Sequence, residues 1–262
     1  MKYESLLYDL ENGVATITIN RPDSANAMNP LMARELSEVA LQTDVNPEVR
    51  AILITGAGKM FCAGGDLDTF AKAGAEVQAL IQQMATDLHV ALSRFARCSA
   101  PVIAAVNGTA AGAGFSLTMA ADIAIASDTA IFTMAYTNAG LSPDGGSTYF
   151  MPRKLGDRRA RELMLTNKLL SAEEALEWGV VNQVVSEDML LEIAYEQAKK
   201  LAKGPTAAFG ATKTLLARTF ETSLEAQMEL ESRAIAEMAI GHDGQEGIQA
   251  FLAKRRPVFK GS

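Results

Sequence analysis

The sequence predicts an α/β core followed by a helical C-terminal part. Three observations carry this. Short β-type runs alternate with amphipathic helical runs through the first half. From about residue 188 to Phe251 the pattern is almost wholly helical. No internal repeat, low-complexity tract or linker interrupts the chain.

Taken in order, VATITIN (14–20) is rich in Thr and Ile and reads as a strand. PLMARELSEVALQTD (30–44) places apolar residues three to four apart, the period of a helix with one buried face. AILITG (51–56) is a short apolar strand closed by glycine, and VQALIQQMATDLHVALSRFARC (77–98) is a longer amphipathic helix. PVIAAVNG (101–108) is a strand of the buried type. The small apolar run 109–121 follows it, then a strand around Asp122 to Ala126. SAEEALEWG (171–179) carries a capping box, Ser171 with Glu174, and a glycine stop. Thr222 with Glu225 reads as a second box.

The 262 residues suit one large domain or two smaller ones, and 48% hydrophobic with 21% charged residues is ordinary for a globular protein. A net charge of −7 argues against a nucleic-acid partner, which asks for a basic surface. Cys62 and Cys98 are the only cysteines, too few for a disulfide framework or a Cys-rich metal site. The start, MKYESLLYDLENG, sets charges around a two-leucine step and does not read as a signal peptide. Apolar stretches break well before the ~20 residues of a membrane span. The expectation is a soluble, cytoplasmic protein with no membrane partner.

Two glycine-rich turns follow strands: GAGKMFCAGGDLDTF (56–70) and NGTAAGAGFSL (107–117). Such turns expose backbone N–H groups that can hold a phosphate or a developing oxyanion. Dinucleotide and P-loop fingerprints both fail, because Leu117 stands where a third glycine belongs and no glycine precedes Gly58-Lys59 by five residues. No G-x-S-x-G elbow supports a Ser-His-Asp triad, and His89, one of two histidines, lies inside a predicted helix. No metal-ligand spacing occurs. In GLSPDGGST (140–148), Asp144 is either a turn former or a carboxylate that the turn presents. The basic run KRRPVFK (254–260) reads by itself as a solvated tail.

Together and in this order, ATITINRPDSANAMN, ITGAGKMFCAGGDL, PVIAAVNGTAAGAG, LSAEEALEWGVVNQVV and EGIQAFLAKRRPVF resemble the crotonase family, the enoyl-CoA hydratases and isomerases. The resemblance covers nearly the whole chain. It implies a crotonase-like spiral of repeated ββα units over 1–200, and a helical region over 201–262 for oligomerisation and CoA contact. It implies an acyl-CoA substrate, no separate cofactor or metal, and a homotrimer or dimer of trimers. The thioester carbonyl would be held by the backbone N–H groups of Gly65 and Ala113, which form an oxyanion hole. CoA would lie against Ser24, Ala25, Ala27, Ala63, Asp66 and Leu67. FLAK matches a Phe and a Lys that contact CoA, often from a neighbouring subunit, here Phe251 and Lys254. One departure is Asp23, where many relatives carry a basic residue. Met134, Tyr136, Phe70 and Phe115 are candidates for the acyl pocket or for the core.

The family's hydratases use two glutamates. Their places fall on Ser116 and Tyr136, neither of which is a carboxylate base. Asp144 remains, in a Pro-Asp step like that of relatives that move a double bond, among them the ring-epoxide isomerase of phenylacetate breakdown. One carboxylate suffices for isomerisation, since it takes a proton from one carbon and returns it to another. Hydration or another crotonase-family chemistry is the first alternative, and non-catalytic acyl-CoA binding the second.

Overall fold

The computed structural model describes residues 3–262; Met1 and Lys2 of the charged start lie outside the described residues. A hairpin comes first. β1 (Leu6–Glu11) pairs antiparallel with β2 (Val14–Ile19) across Asn12-Gly13, both at positive φ as a two-residue turn requires. β1 is absent from the sequence reading because Leu7, on its outer side, is exposed and blurs the period-two pattern. α1 (Pro30–Val45) starts where Asn29 caps it, the side chain accepting the Met32 N–H at 2.9 Å, with Pro30 in the first turn.

Three ββα units follow. The first is β3 (Ala51–Gly56), β4 (Met60–Cys62), α2 (Leu67–Ala73) and α3 (Val77–Arg97). The second is β5 (Val102–Val106), β6 (Thr109–Ala111) and α4 (Ala113–Ala120). The third is β7 (Ile123–Ser127), β8 (Ile131–Thr133), a 3-10 turn over Thr137–Ala139, and α5 (Ser147–Leu155). Then come α6 (Asp157–Thr166), β9 (Leu170–Ser171), α7 (Ala172–Trp178), β10 (Gln183–Val185) and α8 (Leu190–Ala202). The chain closes with α9 (Thr206–Arg218), α10 (Leu224–Ile240) and α11 (His242–Leu252).

The first strand of each unit joins a six-stranded sheet of order β1-β2-β3-β5-β7-β10, parallel except for the hairpin. The second, shorter strand joins a sheet of order β4-β6-β8-β9. This is the expected ββα spiral. Alternate side chains of the large sheet divide two cores. Ala51, Leu53, Ile103 and Ala105 meet Leu190, Ala194 and Ala198 of α8, while Ile52, Ile54, Ala104 and Val106 face the core that includes α1 and α3. Covered on both faces, β3 and β5 read as continuous apolar runs. α4 is buried on every side, and its two hydroxyls, Ser116 and Thr118, bond back to the carbonyls of Gly112 and Gly114.

The capping box at Ser171 and Glu174 is present. The second is corrected: Ser223, not Thr222, caps α10 by accepting from Ala226, and the Thr222 hydroxyl instead bonds Arg218 O and Gln227 Oε1. Both residues are good caps, so the sequence is ambiguous by one position. Within this chain α10 buries no residue, and Leu224, Met228, Ile235 and Ile240 stay exposed. Among the described residues no helix is long and apolar enough to cross a membrane.

Asp243, only 5% exposed, ties down the C-terminus by accepting the N–H groups of Lys260 (2.7 Å) and Gly261 (2.6 Å). Burial pushes its carboxyl pKa up, but these donors and His242 more than offset that, and it lies below the usual range. A carboxyl so depressed stabilises the fold above its unfolded pKa of about 3.9 and loses that contribution as pH falls through the folded value. Asp243→Asn is therefore expected to lower Tm by roughly 2–8 °C at neutral pH. In melts at decreasing pH, the gap to wild type should close below the ordinary carboxylate range.

Candidate active site

The two glycine-rich turns are neighbours because β4 pairs with β6, with Met60 opposite Thr109 and Cys62 opposite Ala110. Past the strand ends Gly64 and Gly112 touch. A Cβ on Gly64 would lie 3.2 Å from Ala111 O and 3.4 Å from the Gly112 Cα. Both sit at positive φ, 97° and 48°, so a side chain at either would be strained as well as crowded. The next residues are Gly65 and Ala113. Among the described residues neither backbone N–H is used by the fold. Ala113 opens α4, so its N–H is one of the orphan donors of a helix start, where partial positive charge collects.

The first turn is held from the side. Ala63 N–H donates to Ala25 O (3.1 Å), Met28 N–H to Gly64 O (2.7 Å) and Asp66 N–H to Met28 O (2.9 Å). Asp66 caps α2 through the Thr69 N–H and pairs with Arg21 at 3.0 Å. Burial raises its carboxyl pKa, but those partners outweigh burial and hold it below the usual value. Fully buried Asn26 shapes the 21–28 loop, donating to Ala57 O and Met60 O and accepting the Arg21 N–H.

Both turns open on a cavity of about 320 Å³. Phe70 of α2 and Ile81, Met84 and Leu88 of α3 form its apolar wall, and Tyr136 and Asp144 complete it. Asp144 is the only carboxyl among the lining residues. Tyr136 donates its hydroxyl to Asp144 Oδ1 at 2.5 Å. Burial first, and the Asp144 charge second, push the Tyr136 pKa far up, so the phenol remains the donor. Ser116, fully buried, lies 3.1 Å from the Tyr136 hydroxyl and 3.1 Å from the Asp144 carbonyl. That carbonyl also accepts the Ser147 hydroxyl (2.8 Å) and N–H (3.1 Å). Gly145 follows at φ 61°, where a Cβ would come within 2.7 Å of Ser116 Cβ, and its N–H donates to His89 Nε2 at 3.1 Å. The Pro-Asp-Gly-Gly turn thus holds Asp144 against Tyr136 and on the cavity wall.

Of the residues singled out in the sequence, Gly65, Ala113, Ala63, Leu67, Tyr136 and Asp144 line this one cavity. Ser24, Ala25, Ala27 and Asp66 do not; they lie in or bond to the loop that braces the first turn. Phe251, 83% exposed, and Lys254 follow at the end of α11 and line no cavity described in this chain. Phe70 belongs to the wall, whereas Met134 and Phe115 are core. Cys62, buried beneath the turn, has its thiol pKa pushed up to about 11 by burial, which keeps it un-ionised and non-nucleophilic. Asp122 accepts the Val102 N–H and pairs with Lys213 at 2.7 Å, a structural network. The sequence reading missed Arg21 and Asn26, and set His89 aside as a residue inside a helix. An available signal for His89 was its place four residues after Ala85, beside the Ile81–Leu88 stripe that walls the cavity.

A second cavity, about 800 Å³, shares Asp144 with the first.

The enoyl-CoA hydratase/isomerase family model matches residues 9–262. A probable enoyl-CoA hydratase of Rhodobacter capsulatus is 39% identical over 261 residues, with both chains fully covered. The 1,2-epoxyphenylacetyl-CoA isomerase of Escherichia coli K12 is also 39% identical, over 98% of this chain and 99% of its own. The solved structure of an enoyl-CoA hydratase from Polaromonas sp. JS666 superposes with a TM-score of 0.93 at 34% identity, covering 98% of this chain and 100% of that one. In sequence, in its ββα spiral and over nearly all its length, the chain belongs to the enoyl-CoA hydratase/isomerase (crotonase) family.

Proposed function

We propose that this chain is an enzyme acting on an acyl-CoA thioester, and that it isomerises a double bond, or a ring epoxide, through an enolate. The observation that carries the reading is the cavity's chemistry: two unused N–H groups and a single carboxyl, Asp144. In this reading the thioester oxygen accepts from Gly65 and Ala113, which stabilise negative charge as it develops. One such donor is typically worth about 2.7–4 kcal/mol of barrier. Asp144 removes a proton from the carbon next to the carbonyl or its vinylogous position, holds it while the charge spreads as a dienolate, and returns it to the other carbon. Tyr136 keeps one carboxylate oxygen in place. By the family resemblance Ser116 and Tyr136 stand where a hydratase would carry its two acids, and the cavity lining offers no second carboxylate to activate water.

The test is to offer the enzyme a 3-enoyl-CoA and crotonyl-CoA separately in deuterated water. The expected result is conversion of the first to the 2-enoyl isomer, with little hydration of the second. Hydration as the faster reaction overturns the assignment. Acyl-CoA binding with no solvent-proton exchange would make the chain a binding protein instead.

The same reading gives residues 201–262 the work of assembly into a homotrimer or dimer of trimers. The uncovered apolar side chains of α10 and the exposed Phe251 support it. Phe251 and Lys254 would then meet CoA in a neighbour's cavity. Light scattering that returns a monomer rules this out.

A further inference from the structure

The proton-transfer scheme leaves His89 without a role, yet it touches the turn that carries the acid. His89 stands on α3 and lines the second cavity together with Asp144. The peptide joining Asp144 to Gly145 is held at both ends. Its carbonyl accepts from Ser116 and Ser147. Among the described residues its N–H has one partner, His89 Nε2, at 3.1 Å, and Gly145 is buried, where water is a poor substitute. An accepting Nε2 carries no proton, so the ring's proton is on Nδ1 while this bond stands.

We propose that His89 is a positioning residue for Asp144: its neutral ring fixes the peptide that aims the carboxylate, and protonation of the ring releases that peptide and turns the site off. The inference rests on the reading of Asp144 as the acid. The surroundings set opposing influences on the ring. From the loop, the Asp144 carboxylate favours imidazolium. From the other walls of the cavity Arg153, Lys154 and Lys213 oppose it, with Asp122 already paired to Lys213 at 2.7 Å, and Arg97 opposes it from the end of α3. On α3 itself, Asp87 is bonded to Gln83 and Arg94 is paired with Asp44, so both are engaged elsewhere. A ring that only filled space would do so in either protonation state. A ring that accepts a hydrogen bond cannot.

The test follows kcat and KM from about pH 5 to about pH 9 for wild type, His89→Gln and His89→Ala, alongside the Gly145 amide nitrogen resonance of the free protein. A Gln oxygen reaches the place of Nε2 and accepts at every pH. Wild type is expected to lose kcat along an acid limb within this window, and the Gly145 resonance should move with the same midpoint as that limb. His89→Gln should stay within about three-fold of the wild-type kcat above the limb and should lose the limb itself. His89→Ala should lower kcat about ten-fold across the range with KM within about two-fold, the pattern of lost orientation. A Gly145 resonance that does not titrate with His89, or a His89→Ala variant with wild-type kcat, overturns the proposal. The resonance needs no turnover, so it stands apart from the acid assignment. If Asp144→Asn keeps wild-type proton exchange while Gly145 still titrates with His89, it is the acid assignment that fails.

Discussion

Asp144→Asn is expected to lower isomerisation and substrate proton exchange by about 10²–10⁴-fold, the usual contribution of a positioned acid–base group. Acyl-CoA affinity should remain nearly that of wild type. The amide has the shape of the acid, and its oxygen can still accept the Tyr136 hydroxyl that now lies at 2.5 Å. The apolar wall and the two turn N–H groups are untouched. What disappears is the ability to take up and return a proton. Two measurements decide it: deuterium incorporation next to the thioester carbonyl or at its vinylogous carbon, and calorimetric binding of an unreactive acyl-CoA. Wild-type exchange in the variant would return Asp144 to the rank of a turn residue.

Ala113→Pro is expected to lower kcat/KM by about 10²–10³-fold, the cost of deleting one oxyanion donor. It should do so without unfolding the protein. Ala113 is the first residue of α4, where proline is tolerated because that N–H has no helical partner. Gly112 before it, at φ 48° and ψ −118°, already lies outside the helical region that a following proline forbids. The melting temperature should stay within roughly 3 °C of wild type. Unchanged turnover in a folded variant would show that the Ala113 N–H stabilises nothing in the reaction.

Four strands of the large sheet, β2, β3, β5 and β7, were legible, but the edge strands β1 and β10 were not. β3 and β5 stood out because they are covered on both sides, and a strand so placed reads as apolar almost throughout. The small sheet was not legible. Its strands span two or three residues, too short for any period to show, although β4 and β6 are what set the two glycine turns side by side. The turns could be found from glycine alone, since positive φ and close backbone contact leave few other residues possible at Gly64 and Gly112. The bond from Tyr136 to Asp144 had no local signature. It depends on the 3-10 turn at Thr137–Ala139 folding eight residues back on themselves. His89 was set aside because it lies inside a helical pattern and no nucleophile elbow accompanies it. Its acceptor role appears only when a turn more than fifty residues later packs on it. Ser24, Ala25 and Ala27 came from family resemblance, and the fold adds the physical reason for their loop's shape: Asn26 at φ 54°, bonded to two carbonyls.

The donors at Gly65 and Ala113 belong to the main chain, while the groups gathered opposite them are side chains. Main-chain donors survive every point mutation except one to proline, provided the turns keep their shape. On the proposed reading a single codon at 116, 136 or 144 would, by contrast, rewrite which protons can move. The molecule would then separate a durable instrument for holding charge from an interchangeable set of tools for using it. A lineage built on this frame can change reactions by editing the tools, without passing through a form that has lost the instrument.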